Sequence, residues 1–116
     1  VLLARQVAPL ADWAAARRRE GVAFLILGDF NRVLDESEPL GTALAAAVPL
    51  TRITEGFANP CWEGDAFIDH ILVGGPARIW VVPGSLRVQV FQAPSSQKAH
   101  LSDHCPVSFK LDPARR

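Results

Sequence analysis

The chain has 116 residues, 49% apolar and 21% charged, a composition that fits one globular domain and not a disordered segment. Twelve basic and twelve acidic side chains leave no net charge. That balance argues against a protein whose main task is coating nucleic acid, and leaves room for an enzyme that grips a few phosphates. No run approaches the ~18 consecutive apolar residues that span a bilayer, and Val1-Leu-Leu-Ala-Arg5 lacks the regions of a signal peptide.

In chain order, Leu3, Val7, Leu10, Trp13 and Ala14 recur at three- and four-residue steps, and Arg17-Arg18-Arg19 precedes Gly21. This pattern predicts an amphipathic helix with a basic C-terminus, kinked or begun near Pro9. Residues 22–27 are apolar at every step, which predicts an interior strand covered on both faces, and helix followed by buried strand is an α/β signature. Asp35, Glu36, Ser37 and Pro39 read as loop, and Leu44 to Val48 as a short helical turn ended by Pro49.

Phe67 to Val73 reads as a second strand closed by Gly74-Gly75-Pro76. Ile79 to Val82 and Leu86 to Phe91, separated by Pro83-Gly84-Ser85, read as a hairpin or as one strand broken by a bulge. Gln92 to Leu101 is a polar loop, and Val107, Phe109 and Leu111 alternate with polar residues as a half-buried strand. Cys61 and Cys105 are too few for a disulfide framework and too far apart for a zinc knuckle. They read as buried thiols, or Cys61 pairs with a cysteine upstream of this text, which would imply export.

Three polar clusters interrupt the strands: Gly28-Asp-Phe-Asn31, Ile68-Asp-His-Ile71 and Ser102-Asp-His-Cys-Pro106. Each alone has a structural explanation. Asp29 and Asn31 fit an Asx-turn, Asp69 and His70 a satisfied buried pair, and Ser102-Asp103 a loop entering the last strand. Together, three aspartates, one asparagine and one histidine are what is needed to hold a hard divalent cation by oxygen and to aim a water at phosphorus. Strand ends that converge on one crevice are where open α/β sheets put such sites.

The ordered set GDFN, then ID followed by histidine within a strand, then SDHCPV before a last strand resembles the C-terminal half of the endonuclease/exonuclease/phosphatase superfamily, the DNase I-like fold. The resemblance implies half of a four-layer α/β sandwich: one mixed sheet with a flanking helix over residues 1–116. It implies a magnesium-dependent phosphoester hydrolase, with Mn2+ or Ca2+ as other candidate ions and a phosphoester, nucleic acid among the candidates, as substrate. Asp29 would orient or deprotonate the attacking water and help hold the metal, and Asn31 would bond a phosphate oxygen. Asp103 would bind the cation or its water shell. His104 would contact the scissile phosphate, and Asp69 would accept a hydrogen bond from His104, fixing its tautomer and favouring its charged form.

Other residues have weaker claims. Arg32 fits either a phosphate contact or a solvated loop. His70, on the opposite strand face from Asp69, reads as packing or support, while His100 has no matching role. Trp62 and Trp80 fit core or rim as well as base stacking, and Lys98 fits solvent as well as substrate.

The superfamily's early asparagine, its metal-binding glutamate and a phosphate-facing histidine or tyrosine have no matching positions. With no methionine in the chain, the expectation is a piece of a longer protein, inactive alone, whose missing N-terminal half would cover an exposed inner sheet face. Composition rich in Ala, Arg, Pro and Leu suggests a GC-rich bacterial genome. The alternatives are a catalytically inactive binding module of the same fold, and coincidental turns of an unrelated α/β domain.

Overall fold

A computed structural model describes residues 2–35, 37–62, 64–90 and 102–116. Helix α1 spans Leu2–Glu20 and runs through Pro9 without ending there. The Arg17-Arg18-Arg19 run sits in its last turn, against the negative end of the helix dipole. Gly21, at φ 72°, closes the helix: its N–H reaches the Arg18 carbonyl at 3.0 Å, and the Val22 N–H reaches that of Arg17 at 3.4 Å. These paired bonds form a Schellman stop, which needs the left-handed backbone that glycine adopts without strain.

Strand β1 is Phe24–Asp29, α2 is Pro39–Ala47 and β2 is Leu50–Arg52. The helix expected at Leu44 starts earlier, because Glu38 caps it. Its carboxylate accepts from the Leu40 and Gly41 N–H groups at 2.7 and 3.0 Å, and Pro39 occupies a first-turn position that needs no donor. A small hairpin, β3 (Ala58–Asn59) and β4 (Asp65–Ala66), encloses the 3₁₀ turn Pro60–Trp62 and leads into β5, Asp69–Gly74. Next come α3 (Ala77–Trp80), β6 (Arg87–Val88) and β7 (Val107–Ser108).

The protein is thus mixed α and β, and among the described residues every ladder is antiparallel. That corrects the expected mixed sheet. The main sheet has the order β1-β5-β2, beside the two-stranded pairs β3-β4 and β6-β7. The β1–β5 register pairs Phe24 with Gly74, Ile26 with Leu72 and Asp29 with Asp69, so side chains alternate between two faces. On one face, Leu72 packs with Leu34, Leu40 and Leu44 beneath α1 and α2, and Phe24 packs with Ala14 and Val48. A Cβ at Gly74 would run into the ring of Phe24 lying across it. On the other face, Ile71 and Val73 pack with Ile53 and Ala77, joined by Val107 and Phe109 from the last strand region.

Three further expectations change. Strand β1 lies at the sheet edge and is covered on one face only, since Leu25 is 37% and Leu27 62% exposed. Residues 77–80 form a helical turn instead of a strand, because Gly75 and Pro76 turn the chain and their carbonyls accept from Arg78 and Ile79 N–H. Val81 and Arg87–Val88 both pair with the last segment, opposite Leu111 and Val107–Ser108. Neither pairs with the other, so the hairpin reading is not met, and the two contacts are an isolated bridge and a two-residue strand on either side of Pro83-Gly84-Ser85 instead of one continuous strand. Trp13, expected inward on α1, is 40% exposed, with its ring edge-on to Phe24 and under the Arg17 guanidinium. Trp80 packs against the core around Ile71 and Val73. Among the described residues no helix is long and apolar enough to cross a membrane.

Candidate functional site

The last rung of the β1–β5 ladder pairs Asp29 with Asp69. Strand alternation puts both on the face that carries Leu25, Leu27, Ile71 and Val73, away from α1 and α2. After Asp29 the chain turns sharply. Asp29 Oδ1 accepts from the Asn31 N–H at 2.8 Å, and Asn31 adopts a left-handed φ of 53°, which asparagine tolerates better than most side chains. The Asx-turn reading of GDFN is therefore correct, and the same carboxylate keeps its second oxygen for the site.

That oxygen, Asp29 Oδ2, lies 3.6 Å from His104 Nε2. His104 arrives on the bend before β7, where Ser102 Oγ accepts its backbone N–H at 3.0 Å. Its Nδ1–H donates to Asp69 Oδ2 at 2.7 Å, so the expected contact between these two side chains is present. The imidazole is raised above the usual histidine range, first by the Asp69 hydrogen bond and then by the charges of Asp69, Asp29 and Asp103. Around them opens a cleft of about 500 Å³ whose walls include Leu27, Ile71, Cys105 and Val107.

His70, one residue from Asp69, has a different fate. It is 1% exposed; Nε2–H donates to the Arg32 carbonyl at 2.9 Å, and Nδ1 accepts from the Thr54 hydroxyl at 2.6 Å. A carbonyl only accepts, which fixes the tautomer, and burial pushes this imidazole below the usual range. His70 is a packing and support residue, one of the two roles its strand face allowed. Its partner is Thr54, which no sequence spacing marks, and not Asp69.

The remaining candidates divide. Asp103 is 94% exposed with Oδ1 3.8 Å from His104 Nε2, at the rim of the cluster. Arg32 lends its carbonyl to His70 while its guanidinium, half exposed, lies 3.8 Å from Glu38. Neither Asn31 nor Arg32 lines the cleft. Lys98, His100 and the loop from Gln92 to Leu101 lie outside the described residues, as does the Trp62 side chain.

The cysteine reading is corrected outright. Cys61 and Cys105 are bonded to each other, with Cα atoms 6.1 Å apart, so neither is a free thiol nor a partner for an upstream cysteine. The pairing could have been suspected from the only two cysteines in the chain, one of them abutting His104.

Ligand atoms of Asp29, Asp69 and His104 all lie within 4.8 Å of one another. The donor chemistry suits a hard cation unequally. A neutral imidazole donating Nδ1–H to Asp69 keeps the Nε2 lone pair and a protonated one does not, so whether His104 can serve as a ligand depends on its protonation, while Asp29 and Asp69 offer carboxylate oxygens in either case. In comparisons with known proteins, the chain matches no family model, no curated protein and no solved structure.

Proposed function

We propose that this chain is the C-terminal half of a divalent-metal-dependent phosphoesterase with a DNase I-like four-layer sandwich. The observation that carries the reading is the convergence of Asp29, Asp69 and His104, drawn from three separate motifs, on one face of one cleft. The motif order GDFN, ID, SDHCPV supports it, and so does the sheet face beside the site, where Leu25 and Leu27 stand open as an inner face awaiting cover would.

On this reading Asp69 holds the Nδ1–H of His104 and leaves Nε2 turned toward the cleft. A protonated His104 there offers an N–H and a positive charge to a phosphate oxygen, most strongly as charge builds during attack. Asp29, braced by the Asn31 N–H, accepts a proton from a water lying against the phosphorus. Mg2+, Mn2+ or Ca2+ held by Asp29 and Asp103 would neutralise the phosphodiester and acidify that water. Substrates in this frame are phosphoesters, nucleic acid among them.

The test is metal-dependent hydrolysis of plasmid DNA and bis(p-nitrophenyl) phosphate by the longest natural protein containing this chain, beside the 116-residue chain alone. Expected is activity in the longer protein that chelation abolishes and Asp29→Ala cuts by about 10²–10⁴-fold, with none in the isolated chain. A folded longer protein with no metal-dependent activity on any phosphoester would overturn the enzymatic reading. Activity of the isolated chain would overturn the half-site reading alone.

A further inference from the structure

We propose that the Cys61–Cys105 disulfide is a positioning element for His104, seating it against Asp69 and making the site responsive to dithiol reductants. This rests on the functional reading for its consequence, though not for its geometry. Cys105 directly follows His104 and is 8% exposed in the wall of the cleft. Cys61 stands in the 3₁₀ turn Pro60–Trp62 inside the hairpin that leads to Asp69.

That hairpin is firmly built. Asn59 is 3% exposed, its side chain accepts from the Cys61 N–H at 2.9 Å, and its carbonyl accepts from the Gly64 N–H at 2.9 Å. Phe67, between the hairpin and Asp69, is 2% exposed. Two cross-links therefore join the hairpin region to the Ser102–Cys105 bend: the 2.7 Å Asp69–His104 hydrogen bond and the disulfide, whose Cys105 is the next residue after His104 and whose Cys61 lies in the hairpin that leads to Asp69. The covalent link limits how far the Ser102–Cys105 bend can drift from the hairpin, so the hydrogen bond forms between partners already held at its distance.

Cys61 is half-buried and Cys105 buried, so a reductant reaches Cys61 first. A thiolate of a small dithiol bonds to Cys61 Sγ as the disulfide breaks, and Cys105 leaves as a thiolate that takes up a proton. The reagent's second thiolate then displaces Cys61, which also takes up a proton, and the reagent departs as a cyclic disulfide. Two electrons pass from dithiol to protein, and the bend carrying His104 is released.

The experiment reads the imidazole ¹⁵N signals of both histidines, with the Nδ1–H of His104 and the Nε2–H of His70, at fixed pH with chelator present. The samples are the oxidised chain, the chain reduced with dithiothreitol, and Cys61→Ser. Expected on reduction and in Cys61→Ser is loss of the bonded His104 Nδ1–H signal, its exchange with water rising roughly tenfold or more, the worth of one hydrogen bond. The His70 signals stay unchanged, and reoxidation of the reduced wild type restores His104. A His104 signal that persists after reduction would overturn the proposal. So would simultaneous loss of the His70 signals, since the disulfide would then be holding the whole fold. None of these signals depends on hydrolysis, so a failed phosphoesterase reading is told apart from a failed positioning role.

Discussion

The two faces of strand β1 share one backbone and have opposite surroundings. One carries Phe24 and Ile26, beside Leu72 and His70 of β5, beneath two helices, where the polar member is buried with both ring nitrogens satisfied. The other is packed along β5, where Ile71 and Val73 are buried with Ile53 and Ala77, and open along β1, where Leu27 is 62% exposed and the carboxylates of Asp29 and Asp69 meet a histidine from a distant segment. Asp69 and His70 are neighbours in sequence and belong to different chemistry because a strand sends successive side chains to opposite sides. The packed face makes His70 a structural part, whereas Asp29 and Asp69 on the other meet His104 beside the cleft.

The largest expected effect tests the packed face. Leu44 is 2% exposed in the cluster with Leu72, and Leu44→Ala should cost about 2–5 kcal/mol of folding stability, transfer loss plus cavity, measured by urea unfolding. A change below about 1 kcal/mol would mean that this face is not the main core.

The second prediction sets the two histidines against each other. If the proposed phosphoesterase reading holds, Asp69→Asn in the longest natural protein containing this chain should lower kcat about 10–100-fold, as losing the partner of a site histidine does. The basic limb of the pH profile should move to lower pH, since His104 loses the bond that raises it. The stability signs are opposite. His104, raised above 6.5, adds stability that is fully present below pH 6.5 and is lost as pH climbs through its raised value. His70, lowered from 6.5, adds stability that is present above pH 6.5 and is lost as pH falls through its lowered value. With chelator present, the stability gap between wild type and Asp69→Asn should therefore be widest below pH 6.5 and close as pH rises. A gap that widens with pH would mean that Asp69 does not favour the charged imidazole.

The fold was legible where local chemistry decides it. Helix α1 follows from the spacing of Val7, Leu10 and Ala14 and from Gly21, and the Asx-turn from Asp29 and Asn31. The rest depended on what lies across space. An unbroken apolar run reads as covered on both faces, yet the sequence of β1 is silent on whether a neighbour sits over Leu25 and Leu27. Ile79 to Val82 has strand propensity, and the turn set by Gly75-Pro76 overrode it. Of the site, the motifs located Asp29, Asp69 and His104; the rim position of Asp103 and the bond between Cys61 and Cys105 are distances that no spacing encodes.

The smallest effect expected in the isolated chain is the most direct probe of the open side of β1. Leu27 shares its face with Asp29 and lines the cleft, yet is 62% exposed. Leu27→Ala in the isolated chain removes side-chain surface that is already wet, so its stability should stay within about 0.5 kcal/mol of wild type. In the longer protein, a second sheet seated on this face would bury the same side chain, and the substitution should then cost about 2–5 kcal/mol. Equal and small effects in both would mean that the face stays in water and that the cleft is walled by this chain without a partner half. A large effect in the isolated chain would mean instead that Leu27 is already covered there, and the contrast between the two faces would disappear.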